Sequence, residues 1–204
     1  THLPIIEINT NAQKIPGAPV ADETGHLAYY ESSEDGQSQI RVSYTIKNAE
    51  GEWHHLEDPI NQSGEALFRI RGNSSRWFAK KSYRLKLVDE NNENIKTPLL
   101  NMEEGNEWAL YGPFLDKTLI RNYLCMNLAS SVLSVWTPET CFTELFIDGE
   151  YQGLYLLMEM IDVDIKRVNI SEYEIELKNK KPFLKDIPLY FSISHSKNLV
   201  GLAI

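Results

Sequence analysis

The sequence predicts an α+β fold, a mostly antiparallel sheet with one main helix packed on it. Three observations carry that expectation. Ile40, Val42, Tyr44 and Ile46 alternate with polar residues, the period of a half-buried strand. Asp148-Gly149 lies between two apolar runs, a strong signal for a two-residue hairpin turn. From Asp116 to Leu133, Leu119, Ile120, Tyr123, Leu124, Leu128 and Val132 recur at three- and four-residue steps, the best helical pattern in the chain.

The elements follow in order. "LPIIEINT" is a short β-branched run and reads as a strand, which the Gly and two Pro of "NAQKIPGAP" break into a loop. "LAYYESS" and "IRVSYTIK" are the next strands, followed by a turn at "NAEGEW" and a polar loop from Glu57 to Glu65. "ALFRIRG" and "SYRLKLVD" then flank a Gly-Asn-Ser-Ser turn. In the second of them, Tyr83, Leu85 and Leu87 face one way while Arg84 and Lys86 face the other. "DENNEN" is a solvated turn and "EWALYG" a short apolar segment led by Trp108. The helix comes next, with Asp116 as its N-cap and with Tyr123, Leu124 and Leu128 expected to be buried against the sheet. "TELFIDGEYQGLYLLMEMID" is the clearest hairpin, and its second arm is apolar enough to be central in the sheet. After Ser171 the pattern weakens, leaving two more strands and no long helix.

Composition narrows the function. The chain has 204 residues, 42% of them hydrophobic and 24% charged, which suits a folded domain with a real core. A net charge of −9 argues against a general nucleic-acid binder, which needs broad positive charge. No apolar run approaches the roughly 18 residues that span a bilayer, and the N-terminus lacks the charged and apolar regions of a signal peptide. Cys125 and Cys141 offer no disulfide framework or metal-ligand spacing, and their apolar neighbours predict buried free thiols.

Against this acidic background, "RIRGNSSRWFAKKSYRLKL" gathers Arg69, Arg71, Arg76, Lys80, Lys81, Arg84 and Lys86 into the stretch from Arg69 to Leu87. Gly72, Asn73, Ser74 and Ser75 expose backbone N–H groups at the turn, and Arg71, Arg76, Lys80, Lys81 and Arg84 can converge around them. A guanidinium fork matches phosphate oxygens and an ammonium adds a point charge, so the stretch reads as a phosphate cradle. A solvated edge strand kept apart by its charges is the competing explanation. The helix start, with Asp116, Lys117, Arg121 and Asn122, is a second anion-attracting feature, or simply a capped surface helix. Glu159, inside an apolar strand, needs a cationic or backbone partner unless it faces outward from an edge. The five His residues form no nucleophile system.

Taken together, "IRGNSSR…KKSYRLKL", "WALYGPFLDKTLIRN", "ELFIDGEYQGLYLLMEMID" and "RVNI" resemble the CotH kinase family, atypical protein kinases named after a spore-coat protein. The similarity covers about Leu3 to Ile170, with 171–204 as an atypical tail. It implies a divergent kinase-like nucleotide-side lobe that takes part in moving the ATP γ-phosphoryl to Ser or Thr of a protein substrate. In that frame Lys81 or Lys86 contacts phosphate and Arg121 joins the catalytic set. Arg71, Asn73, Ser74, Ser75, Arg76, Lys80, Arg84, Asp116, Asn122 and Glu159 bind the nucleotide. The backbone from Glu159 to Ile161 reads adenine. Mg²⁺ or Mn²⁺ is implied as well, yet the family's downstream acidic motif is not matched. Asp162 and Asp164 come too early for it, so the chain alone is expected to transfer phosphate slowly or not at all. The resemblance points to a bacterial spore coat or a secreted, surface-attached setting. A non-catalytic binding module, or a carbohydrate-associated one using Trp53 and Trp77, stays open beside it.

Overall fold

The computed structural model describes residues 1–48, 53–133, 136–161 and Arg167, with the backbone of four short strands further on. The chain forms two compact units, Thr1–Leu133 with Pro138–Met160, and Ser134–Thr137 with Ile161–Ile204.

Seven strands of the first unit close into a barrel. They are β1 (Ile5–Asn9), β4 (Ile40–Lys47), β5 (Gln62–Arg71), β6 (Ser82–Val88), β7 (Glu107–Tyr111), β9 (Glu150–Glu159) and β8 (Thr140–Ile147), in that order around it. Neighbours pair antiparallel except at the seam, where β1 runs parallel to β8 with Ile5 beside Glu144 and Ile8 beside Ile147. Two short strands, β2 (Pro19–Ala21) and β3 (Leu27–Tyr30), form a separate hairpin.

The barrel follows from period-two patterning carried by every strand. Ile6 and Ile8, Val42, Tyr44 and Ile46, Phe68 and Ile70, Tyr83, Leu85 and Leu87, Trp108 and Leu110, Leu145, and Tyr155 and Leu157 all point into one buried cluster. Each strand therefore covers its apolar face with the others, and closure leaves no edge to protect. The β8–β9 turn is the expected Asp148-Gly149, with both residues at positive φ, 51° and 80°, as a type I′ turn requires. Asp148 also accepts hydrogen bonds from the backbone N–H and the hydroxyl of Thr10, tying the turn to the end of β1.

This corrects the α+β expectation. The structure is mostly β, 40% strand against 10% helix, and the barrel is not a mixed kinase-like lobe. The only α-helix among the described residues, α1 (Arg121–Val132), is shorter than the Asp116–Leu133 reading. Its apolar residues are spread around the axis, no residue on it is buried, and the expected burial of Tyr123, Leu124 and Leu128 fails. Leu124 and Leu128 are 57% and 59% exposed. The core needed no helix to complete it, so α1 only touches the outside. Tyr123 packs against Phe142 of β8 with centroids 4.9 Å apart and the rings inclined at 32°, and Met126 packs against the small outer cluster of Ala109, Leu156 and Met158. Cys125 is exposed on this helix, against the expected buried thiol, while Cys141 is half-buried and burial pushes its thiol pKa up. Among the described residues no helix is long and apolar enough to cross a membrane.

In the second unit, β10 (Ile175–Lys178) pairs with β11 (Lys181–Leu184), and β12 (Ser192–Ser196) with β13 (Leu199–Ala203), both antiparallel. The weakly patterned stretch after Ser171 thus forms four short strands where two were expected.

Candidate functional site

The basic stretch lies on β5, the turn and β6, and the structure divides its charges into two groups. The first group holds the turn together. Gly72 has φ +109°, and a Cβ there would meet Ser75 Oγ at 2.0 Å, so glycine is needed where the chain leaves β5. A short 3₁₀ turn, Ser74–Trp77, follows. Arg76 is buried. Its Nε donates to Gly72 O at 2.6 Å and an Nη to Gly17 O at 3.0 Å, and its guanidinium stacks over Tyr30, 4.1 Å from the ring centroid. Lys81 Nζ donates to Arg76 O at 2.6 Å. Lys80 Nζ donates to Gln152 O at 2.9 Å and sits over the Tyr155 ring. Asn73 accepts from the Tyr30 hydroxyl, Ser74 is exposed and Ser75 half-buried. Arg76, Lys80 and Lys81 therefore serve backbone carbonyls, because a turn with few apolar side chains needs donors to fix it.

The second group faces outward from the sheet. Inward-pointing Phe68, Ile70, Tyr83 and Leu85 leave Arg69 and Arg71 on β5, and Arg84 and Lys86 on β6, on the outer side. Arg69 lies directly opposite Arg84 in the register, and Arg71 opposite Ser82. Like charges placed so are mutually destabilising. Of the three arginines, Arg84 alone forms an ion pair among the described residues, with Glu107 of β7, which its guanidinium grips in a bidentate pair, and Glu107 also acts electrostatically on Arg69. Neither Arg69 nor Arg71 makes an ion pair among the described residues, and Arg69 Nε is a buried donor with no hydrogen-bond acceptor. Burial first, and then neighbouring Arg84 and Arg76, push the Arg69 pKa down; burial and then Arg84 do the same for Arg71. Guanidinium groups stay protonated even so. Four half-buried cations, the three guanidiniums and Lys86, thus lie on this face beside Glu107, an excess of positive charge that favours an anion.

The helix entry lies beside this turn. Phe78 stacks on Phe114 at 5.2 Å, and Gly112 N donates to Ser82 Oγ at 3.0 Å. Asp116 is buried but does not occupy the N-cap, which is Ile120. Its carboxylate reaches forward, accepting from the Thr118 amide and hydroxyl and, at 2.8 Å, from the Arg121 amide. The Thr118 hydroxyl, then the Arg121 amide, hold its pKa below the ordinary 3.8. Arg121 is exposed and 3.8 Å from Asp116, and Asn122 is half-buried.

Glu159 points into the end of the barrel rather than out of an edge. Its carboxylate accepts from Glu139 N at 2.9 Å and its own N–H donates to Glu139 O at 3.1 Å. Among the described residues no three His, Cys, Asp or Glu side chains gather to hold a metal. Asp162, Asp164 and 168–170 lie outside the described residues. Sequence reasoning placed Arg69 in the basic stretch without assigning it a role, and missed Glu107. The strand alternation that put Arg84 outward could have found both.

A closed barrel with a basic patch on the outer face of β5 and β6 specifies no particular activity by itself. The family comparison is narrower. A model of the CotH kinase protein family matches residues 68–187, from within β5 to beyond β11, and the chain belongs to that family. A comparison with curated protein sequences found no significant match.

Proposed function

We propose that this chain binds ATP through the outer face of β5 and β6, as part of an atypical protein kinase that transfers the γ-phosphoryl to Ser or Thr of a protein substrate. The observation that carries the reading is the trio Arg69, Arg71 and Arg84 with Glu107 as its one carboxylate. Family membership supports the choice of phosphate over other anions. Phosphoryl transfer depends on positioning and on neutralising oxygens, and half-buried guanidiniums do both where solvent screening is weak.

Arg71, at the end of β5 beside the glycine turn, holds a phosphate, and Arg69 and Arg84 surround it. Lys86 rather than Lys81 supplies the phosphate-contacting ammonium, since Lys81 is engaged by Arg76 O. Arg76, Lys80, Asn73, Ser74 and Ser75 keep the turn in shape. Asp116 fixes the start of α1, so that Arg121 and Asn122 sit at a defined place next to the turn. Mg²⁺ or Mn²⁺, when bound with the nucleotide, would neutralise phosphate oxygens. A spore-coat or surface-attached bacterial setting goes with the family.

The test is transfer from radiolabelled ATP, with Mg²⁺ and with Mn²⁺, to a Ser-rich acceptor protein. Labelling of Ser or Thr that is lost in Lys86→Ala and kept in Lys81→Ala supports the assignment. Saturable ATP binding without labelling would make the chain a nucleotide-binding module instead. Absence of both would overturn the proposal.

A further inference from the structure

The side of α1 that faces away from the barrel is apolar. Asn122, Met126 and Ala129 are half-buried, and Tyr123 and Met126 pack on the barrel wall. Ile120, the cap residue, and Leu124, Leu128 and Val132 recur at strict four-residue steps, which sets them in one exposed row along the other side of the helix. Leu115 and Leu119, in the turn that leads into the helix, are exposed as well. We propose that this row is an interface between two copies of the chain, which pair through α1 about a twofold axis with the helices antiparallel.

Area is the first argument. These six side chains are between 40% and 68% exposed. Together they offer roughly 600 Å² of apolar surface, at the upper limit of what a monomer leaves in one patch and most of the ~800 Å² that one partner brings to a stable interface. The entry to the row is also fixed. Leu119 has φ 64°, uncommon for a residue other than glycine, and Asp116 braces the backbone around it by accepting from the Thr118 and Arg121 amides.

Charge is the second argument, and it sets the direction of pairing. Arg121 is the only charged residue of α1, so a copy packed on the row desolvates no ion within it. The last turn of α1 has no basic residue to answer its carbonyl end, while Arg121 is exposed and 3.8 Å from Asp116. In an antiparallel pair each Arg121 comes to the carbonyl end of the other copy's helix, where a cation is favoured. A parallel pair would bring the two guanidiniums together. Rows at four-residue steps are the ridges that interdigitate in the commonest class of helix pair, and a twofold axis makes one such row complementary to itself. Each copy carries a net charge of −9, so long-range repulsion opposes pairing and added salt should tighten it.

The test is sedimentation velocity of the full chain across a concentration series, at low and at high salt. Expected is a reversible monomer–dimer equilibrium within about 1–300 µM, tighter at high salt. Leu124→Lys and Leu128→Lys should each weaken it more than about tenfold, with the melting temperature of the dilute chain unchanged. Either variant answers alone if the other fails to fold. Arg121→Gln should weaken it about two- to fivefold. A chain that stays monomeric through that range, or a dimer that keeps its affinity in the leucine variants, would overturn the proposal. Tighter association in Arg121→Gln would overturn the antiparallel arrangement.

Discussion

Arg69 and Arg84 face each other across β5 and β6, and Glu107 is bonded to Arg84 while acting on Arg69 only at longer range. Like charges placed directly opposite each other across two strands cost stability. Arg69→Thr should therefore stabilise the ligand-free chain, by about 0.2–1 kcal/mol for a relieved cross-strand repulsion, while weakening anion binding. Urea denaturation and a phosphate titration on the same variant check the two signs. Asp116 gives a pH prediction. Its pKa is lowered by folding, so its contribution is fully present above the unfolded value of 3.8 and is lost as pH falls through the lower folded value. Hydrogen exchange at the Arg121 amide should accelerate in that acid window, and Asp116→Ala should show the faster rate at every pH. At this scale the sequence was legible in part. It located the basic cluster, but only coordinates could tell that Arg76 and Lys81 bind carbonyls while Arg71 does not. Side-chain reach around a tight turn depends on φ angles such as that of Gly72, which a pattern of charges does not encode.

Elements were legible wherever alternation was strong. The Asp148-Gly149 hairpin, the β4 alternation and the inward set Tyr83, Leu85 and Leu87 all appear as read. β5 begins at Gln62, earlier than the polar loop reading allowed, because register with β4 recruits Gln62, Ser63 and Gly64 into the ladder. The helix was recognised, but its burial was not. Steps of three and four describe a helix, and they say which face is apolar only when polar residues fill the rest. The energetic consequence separates the two kinds of element. Leu124→Ala or Leu128→Ala on α1 should change stability by no more than about 0.5 kcal/mol. Trp108→Ala, inside the barrel and 0% exposed, should cost about 3–5 kcal/mol. Equilibrium denaturation of the three variants measures the contrast, and similar losses in all of them would mean that α1 belongs to the core.

Barrel closure belongs to the whole molecule and was not legible at all. Open and closed sheets share the same period of two. What distinguishes them is the parallel pairing of β1 with β8, two segments at opposite ends of the first unit. Closure places the outer face of β5 and β6 and the β8–β9 hairpin on different parts of one rigid wall, and it frees the outer surface for function by confining the apolar side chains within. A net charge of −9 then makes the guanidinium face a local exception, and long-range repulsion of a polyanion by the rest of the chain should make nucleotide binding sensitive to ionic strength. The most direct test of the phosphate-binding assignment is calorimetric titration of ATP at low salt into the parent chain, Arg71→Ala and Arg69→Ala, each with its melting temperature recorded. The account predicts that each variant keeps or raises its melting temperature and loses about 1.5–3 kcal/mol of binding free energy, the value of a charge-assisted hydrogen bond. Unchanged affinity in both variants would contradict it, and would leave the basic face as a solvated charge array on a barrel wall.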